Sequence, residues 1–121
     1  MGKILVVDDS AFARLNICRI LKSAGHEIFE AANGREGLDL AMALKPDCIL
    51  SDLLMPEMDG IDFLAALKEQ RIVLPVIVLT ADIQETKKRQ CLDFGAAGFL
   101  QKPPQKEELL AQIETALSAG R

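Results

Sequence analysis

Five side chains capable of acid–base or hydrogen-bonding chemistry follow short apolar runs of the sequence. They are Asp8, Asp9, Asp52, Thr80 and Lys102, and the runs before them are residues 4–7, 48–51, 76–79 and 98–101. If each run is a strand of one parallel sheet, all five side chains emerge at its carboxyl edge, where open α/β sheets bind their ligands. Three carboxylates in a small volume repel one another unless a cation joins them. The set therefore predicts a divalent metal, with Lys102 and Thr80 anchoring an anionic group beside it, for which a phosphoryl group fits best.

Each of these residues also has an ordinary structural explanation when it is taken alone. An Asp at a strand end is commonly a helix cap or a turn residue, and Lys102 alone would be a surface lysine. Two consecutive acids after an apolar strand are different, because Asp8 and Asp9 together are costly to bury without a cation. We favour the functional interpretation because the five residues occur together and in this order.

The segments between the apolar runs have helical periodicity, so strands and helices are expected to alternate. Five strands are predicted. Three of them end at Val7, Asp52 and Leu79, and the other two cover residues 27–31 and 98–101. Five helices are predicted from the periodicity. The first covers about 11–24 and the fifth covers 105–118. The second, third and fourth are expected to begin at the N-caps Asn33, Asp59 and Asp82 and to end at about 44, at about 70 and before Gly95. In the first helix, Phe12, Leu15, Cys18 and Leu21 supply the apolar period. Five strands alternating with five helices predict an α/β fold, a parallel sheet covered on both faces.

Composition excludes several other classes of protein. A chain of 121 residues is expected to form one domain, and its net charge of −4 argues against nucleic acid as a direct ligand. One local segment, Lys87-Lys88-Arg89, is strongly basic despite the negative net charge. It is either a solvated helix face or a docking site for a partner. No apolar run approaches the length of a membrane span, and no signal peptide precedes the first strand, so a cytoplasmic protein is expected. The three cysteines, widely spaced and among apolar neighbours, predict buried reduced thiols.

Taken in order, the motifs resemble those of the receiver domain of two-component response regulators, over essentially the whole chain. The matching pieces are Val6 to Ser10, Ser51 to Gly60, Leu79-Thr80-Ala81, and Gly95-Ala96 through Lys102-Pro103. The resemblance implies a flavodoxin-like five-stranded parallel sheet of order 2-1-3-4-5 with helices on both faces. It also implies a single receiver domain over residues 1–121, for which we expect no output domain.

The resemblance assigns a role to each residue of the site. It implies that Asp52 is the phosphoacceptor and that Mg²⁺, or Mn²⁺ as a substitute, is bound by Asp9 and Asp52 directly and by Asp8 through a water. The backbone carbonyl of Leu54 completes the protein ligands. The remaining roles belong to residues around the phosphoryl group: Lys102 and Thr80 bind it, Phe99 forms the switch with Thr80, Pro103 follows a cis peptide bond, and Leu54 and Asp82 modulate dephosphorylation.

The resemblance further implies a switch that catalyses only its own phosphotransfer and dephosphorylation. The expected phosphodonor is a histidine kinase, a phosphotransfer protein or a small molecule. A separate target protein is expected to bind the surface formed by the fourth helix, fifth strand and fifth helix, with an auxiliary phosphatase as a further candidate partner. The chain is expected to be a monomer or a phosphorylation-dependent dimer.

Three other functions share part of this pattern. An aspartyl-phosphate hydrolase normally has a second acid two residues after its nucleophile, where this chain has Leu54. A flavin carrier has the same sheet topology, but Asp8 and Asp9 would repel the flavin phosphate. A receiver that binds partners without phosphorylation is disfavoured because all five site residues are present.

Overall fold

The computed structural model, which describes residues 2–81 and 84–119, contains one five-stranded parallel sheet. Its strands are β1 (Lys3–Val7), β2 (Glu27–Ala31), β3 (Cys48–Asp52), β4 (Val76–Thr80) and β5 (Gly98–Gln101). They lie in the order β2-β1-β3-β4-β5, and each neighbouring pair is parallel. The predicted flavodoxin-like topology is confirmed.

Five helices connect and follow the strands. They are α1 (Ala11–Ser23), α2 (Gly34–Leu44), α3 (Gly60–Glu69), α4 (Glu85–Asp93) and α5 (Lys106–Ala119). No helix among the described residues is both long enough and apolar enough to cross a membrane.

The sheet has a hydrophobic core on each face, because successive strand residues point to opposite sides. Ile4 and Val6 of β1 pack towards α1 and α5, whereas Leu5 and Val7 pack towards α2, α3 and α4. Strands β3 and β4 are buried at all five positions, as expected of central parallel strands. Each fully buried aliphatic side chain contributes about 1.5–3 kcal/mol relative to an exposed one. The two cores therefore hold the strand ends, and the side chains that follow them, in fixed positions.

The predicted helix caps agree with the structure in two cases. The side chain of Asn33 accepts a hydrogen bond from the Glu36 amide, and Asp59 forms a capping box with Asp62. The prediction for α4 is wrong, because this helix begins after Gln84, whose side chain makes no capping hydrogen bond. Asp82 itself lies outside the described residues.

The apolar face predicted for α1 is only partly correct. Ile17, Cys18 and Leu21 are buried, but Phe12 is 74% exposed and Leu15 is 49% exposed. Residues spaced by three drift around a helix of 3.6 residues per turn, so Phe12, near the start of α1, lies on the side opposite Leu21. An aromatic side chain is thus left on the surface at the end of the molecule where the acidic residues lie.

The three cysteines are free and buried, as predicted. Burial raises the pKa of Cys18 to about 11 and that of Cys48 to about 12, and it also raises the pKa of Cys91. Because the thiolate is the reactive form, these thiols are chemically quiet at neutral pH.

Candidate phosphorylation and metal site

Asp8 continues the first strand and faces the interior. Its amide donates to the carbonyl of Ala31 at 3.1 Å, which extends the β1–β2 ladder by one residue. The side chain is fully buried, and its Oδ1 accepts a hydrogen bond of 2.9 Å from the Ser10 amide. Ser10 in turn caps α1 by accepting from the Ala13 amide. The start of α1 and the end of β1 thus hold Asp8 in one orientation.

Asp52 ends the third strand at the centre of the same edge. It is 6% exposed. The following residue, Leu53, donates to the Leu79 carbonyl at 2.8 Å and accepts from the Gly60 amide at 2.7 Å. The loop after β3 is therefore held against both β4 and the start of α3.

Asp8, Asp9 and Asp52 form one acidic cluster. Each residue offers a carboxylate oxygen that lies within 4.8 Å of those offered by the other two. Asp8 and Asp52 are buried, whereas Asp9 is exposed. Carboxylate oxygens are the ligands that Mg²⁺ prefers, and a cation with this coordination would offset the mutual repulsion of the cluster. The residues therefore fit the divalent cation predicted from the sequence.

Lys102 contacts two of the three acids. Its Nζ lies 2.5 Å from Asp8 Oδ2 and 3.2 Å from Asp52 Oδ2. Burial raises the pKa of Asp52, the nearby Asp8 charge raises it further, and Lys102 opposes both effects. For Lys102, burial lowers the pKa, but the hydrogen bond with Asp8 and the charge of Asp52 outweigh burial and raise it. The lysine therefore stays charged and provides the counter-charge to the buried acids.

Thr80 and Lys102 are linked through the backbone. The Lys102 amide donates to the Thr80 carbonyl at 2.7 Å, and Thr80 is fully buried at the end of β4. The Lys102–Pro103 peptide bond is cis, in agreement with the prediction. Beside the site, an apolar groove of about 530 Å³ lies between α1 and residues 102–104 and is lined by Phe12 among others.

Phe99 occupies the fifth strand on the same side of the sheet as Thr80. It aligns with Val78 on β4, is partly buried, and packs against the core between the sheet and α2, α3 and α4. Residues 78 and 80 share a sheet face because side chains alternate along a strand. The structure therefore puts the two residues of the predicted switch on one face.

Leu54 and Asp82 are the two residues predicted to modulate dephosphorylation. The Leu54 side chain, two residues after Asp52, is apolar and 60% exposed. The predicted metal contact of its backbone carbonyl stays a prediction. Asp82 lies outside the described residues, so its predicted role is likewise untested.

Sequence reasoning missed Arg14, which reaches the site from α1. Its guanidinium donates to the backbone carbonyl of Asp8 and pairs with Glu30 on β2. One signal could have revealed it, because a cation near a helix N-terminus is unfavourable unless a specific partner holds it.

Comparison with known proteins gives one consistent result. Residues 4–114 match the family described as the response regulator receiver domain. The chain is 36% identical over 120 residues to protein PilH of Pseudomonas aeruginosa, covering 98% of this chain and 99% of PilH. It is 37% identical over 120 residues to the transcriptional regulatory protein PdtaR of Mycobacterium tuberculosis, but it spans only 58% of that relative's length.

Solved structures agree with the sequence matches. The chemotaxis protein CheY4 of Vibrio cholerae superimposes with a TM-score of 0.91 at 38% identity, covering 97% of this chain and 99% of that one. The Francisella response regulator 1452 receiver domain superimposes over the full length of both chains, with a TM-score of 0.93 at 30% identity.

Proposed function

The chain belongs to the receiver domains of two-component response regulators, which are phosphorylation-dependent signalling switches, and we propose that Asp52 is its phosphoacceptor. The observation that carries the proposal is the burial of Asp52 within contact of Lys102 and inside the acidic cluster. Receiver domains are switches and not enzymes in the usual sense. We further propose that residues 1–121 form one such domain, which resides in the cytoplasm and acts on a separate protein.

The chemistry at Asp52 is an in-line transfer. A carboxylate oxygen of Asp52 forms a bond to phosphorus while the bond between phosphorus and the donor breaks, giving an acyl phosphate. A carboxylate is a weak nucleophile, so catalysis rests on its placement and on neutralising the phosphoryl oxygens. When bound, Mg²⁺ or Mn²⁺ supplies part of that neutralisation, with Asp9 and Asp52 as direct ligands, Asp8 acting through a water and the Leu54 carbonyl as a further ligand.

Lys102 has a second task once the phosphoryl group arrives. In the resting chain its ammonium group balances Asp8 and Asp52. Transfer brings new negative oxygens next to that ammonium group, so we propose that Lys102 pairs with one of them. The Thr80 hydroxyl hydrogen-bonds another, moves towards the site and leaves space that Phe99 enters from the same face of the sheet.

Loss of the phosphoryl group requires a water in line with the acyl phosphate. We propose that Leu54 and Asp82 flank its path, and that the apolar Leu54 gives this water no hydrogen-bond partner while Asp82 is able to orient it.

The proposed function is tested by labelling with a small phosphodonor. Incubation with acetyl phosphate and Mg²⁺ should add one phosphoryl group, detected by intact mass, and Asp52→Asn should abolish the addition. Chelation of the divalent ion should also prevent it. Labelling of Asp52→Asn, or of the wild-type chain in excess chelator, would contradict the proposal.

We propose that the protein phosphodonor, a histidine kinase or a phosphotransfer protein, docks on the apolar groove beside Asp52. The groove borders the site because Lys102 lines it, and it exposes the ring of Phe12, an unusual solvent contact for an aromatic side chain. Phe12→Asp should lower the rate of transfer from a phosphorylated histidine kinase at least tenfold and leave labelling by acetyl phosphate unchanged. Val73→Asp is the control, because Val73 is 96% exposed and precedes β4, at the opposite edge of the sheet. Equal effects of the two variants would refute docking at the groove.

A further inference from the structure

Arg14 connects three elements at the edge of the acidic cluster. It lies on α1, its side chain is 17% exposed, and its Nε lies 3.2 Å from Glu30 Oε1 on β2. Its Nη1 donates to the backbone carbonyl of Asp8 at the end of β1. One guanidinium group therefore joins a helix, the end of a central strand and the edge strand.

The Asp8 carbonyl belongs to the peptide unit that leads into Asp9. Asp9 is exposed, and between the described residues no hydrogen bond or ion pair involves its carboxylate. The position of that carboxylate therefore depends on the backbone that carries it. By contrast, Asp8 has both the Ser10 amide and Lys102 as side-chain partners.

We infer that Arg14 is a positioning residue, which fixes the Asp8–Asp9 peptide and thereby sets the affinity of the site for a divalent cation. The inference rests on the proposed function, because it takes Asp9 as a cation ligand. Outer residues that orient metal ligands typically contribute 10–100-fold to metal affinity.

Glu30 makes this arrangement compatible with a cation site. An unpaired guanidinium near bound Mg²⁺ would repel it, and the Glu30 carboxylate neutralises that charge. Arginine suits the task because its planar group donates to two acceptors at once, whereas a lysine ammonium offers no fixed fork. Arg14→Lys therefore keeps the charge but loses the geometry.

The inference is tested by measuring Mg²⁺ affinity by isothermal titration calorimetry. Arg14→Gln should weaken binding about tenfold, and Arg14→Lys should also weaken it. A purely electrostatic role predicts the opposite sign, because removing a positive charge would tighten Mg²⁺ binding. Arg19→Gln is the matched control, since it removes the same charge from an exposed residue of the same helix and should change the affinity less than twofold.

A second readout separates positioning from a general loss of structure. In labelling by acetyl phosphate, Arg14→Gln should raise the Mg²⁺ concentration that gives half-maximal rate and leave the rate at saturating Mg²⁺ within about twofold. A lower melting temperature with unchanged Mg²⁺ affinity would overturn the inference. If Arg14→Gln does not fold, Arg14→Lys carries the test, because it keeps the positive charge and should still weaken Mg²⁺ binding.

Failure of the inference can be told apart from failure of the proposed function. If the wild-type chain binds no Mg²⁺ and takes no phosphoryl group, the proposed function fails and the role of Arg14 fails with it. If the wild-type chain does both, and Arg14→Gln behaves like Arg19→Gln, only the role of Arg14 is refuted.

Discussion

The Asp52 carboxyl group is held under opposing influences. Burial and the charge of Asp8 favour its protonated form, whereas contact with Lys102 favours the carboxylate, and the balance raises its pKa. Phosphotransfer needs the carboxylate, because the protonated group is a poor nucleophile. A divalent cation at the cluster would favour ionisation of Asp52. Under the proposed function, the acidic cluster therefore costs stability without a cation, and a bound cation would make Asp52 reactive.

This conflict predicts a pH dependence of stability. A carboxyl group with a raised pKa in the folded chain stabilises the fold most at low pH, and that stability is lost as pH rises through the folded pKa. Asp52→Asn cannot ionise and so avoids the loss. In the absence of divalent ions, this variant should have a higher free energy of unfolding than the wild type at pH 7. The difference should disappear below about pH 4, near the ordinary pKa of 3.8. Urea denaturation of both chains from about pH 3 to pH 8 measures this difference.

The control is Asp39→Asn, which removes an exposed carboxylate from α2 and should change the free energy of unfolding by less than about 0.5 kcal/mol. Added Mg²⁺ should stabilise the wild type more than Asp52→Asn. If Asp52→Asn proves less stable than the wild type at pH 7 without divalent ions, the attraction between Asp52 and Lys102 outweighs burial, and our account of the conflict is wrong.

Residue types in the sequence were sufficient to predict most of the charged site. Asp8, Asp52 and Lys102 each follow an apolar run, and the structure brings them into one contact network. Arg14 could not be found in this way, because its importance comes from a backbone carbonyl and from Glu30, sixteen residues away along the chain. Contacts with main-chain atoms leave little trace in the pattern of side chains.

At the scale of elements, the strands were easier to predict than the faces of the helices. The central strands are buried at every position and mostly apolar because both of their faces are covered, so β3 and β4 stand out in the sequence. The period of α1 indicated a helix correctly but misplaced its buried face, since the three-residue spacing from Phe12 to Leu21 drifts from the exposed to the buried side of the helix. A spacing close to the helical repeat identifies a helix without fixing which of its faces is buried.

The first residues of α2 and α3 provide a matched pair for testing how an element shapes the site. Both Gly34 and Gly60 are buried and begin a helix. A Cβ at residue 60 would lie 2.8 Å from the Asp52 carbonyl oxygen and from the Leu53 Cα, which are backbone atoms. A Cβ at residue 34 would meet the Met58 side chain, with Sδ at 2.8 Å. The Met58 side chain can move away by rotating about its bonds, whereas the backbone atoms near residue 60 cannot.

We therefore expect unequal effects of the two alanine substitutions. Gly60→Ala should lower the free energy of unfolding by about 2 kcal/mol and weaken Mg²⁺ binding, because it displaces the backbone next to Asp52. Gly34→Ala should cost less than about 1 kcal/mol and leave Mg²⁺ binding unchanged, because methionine adapts its rotamers. Urea denaturation and calorimetry measure the two quantities. Equal losses in both variants would show that contact with the Asp52 backbone is not what matters at residue 60.

At the scale of the whole molecule, the sheet separates two regions that respond differently to a signal at its edge. One core joins the sheet to α1 and α5, and the other joins it to α2, α3 and α4. Thr80 and Phe99 lie on the second side, on neighbouring strands, whereas β2 lies at the far edge of the sheet. A change at Thr80 can therefore reach β5 through strand pairing and α4 through the core shared by Phe99 and Cys91. It can reach α5 because the Gln112 side chain donates to the Phe99 carbonyl at 3.5 Å. Strand β2 is separated from Thr80 by β1 and β3.

This arrangement predicts where activation alters the protein. Beryllofluoride with Mg²⁺ imitates a phosphoryl group on an aspartate. If Asp52 is the phosphoacceptor, beryllofluoride should shift backbone amide resonances in α4, β5 and α5 more than those in β2 and α2. Thr80→Val removes the hydroxyl that the proposed switch requires, so it should still bind beryllofluoride but show smaller shifts in β5 and α5. Two-dimensional amide NMR of the resting and activated forms makes the comparison. Shifts confined to the loops around Asp52, or equal shifts in wild type and Thr80→Val, would mean that the Thr80–Phe99 pair does not carry the signal.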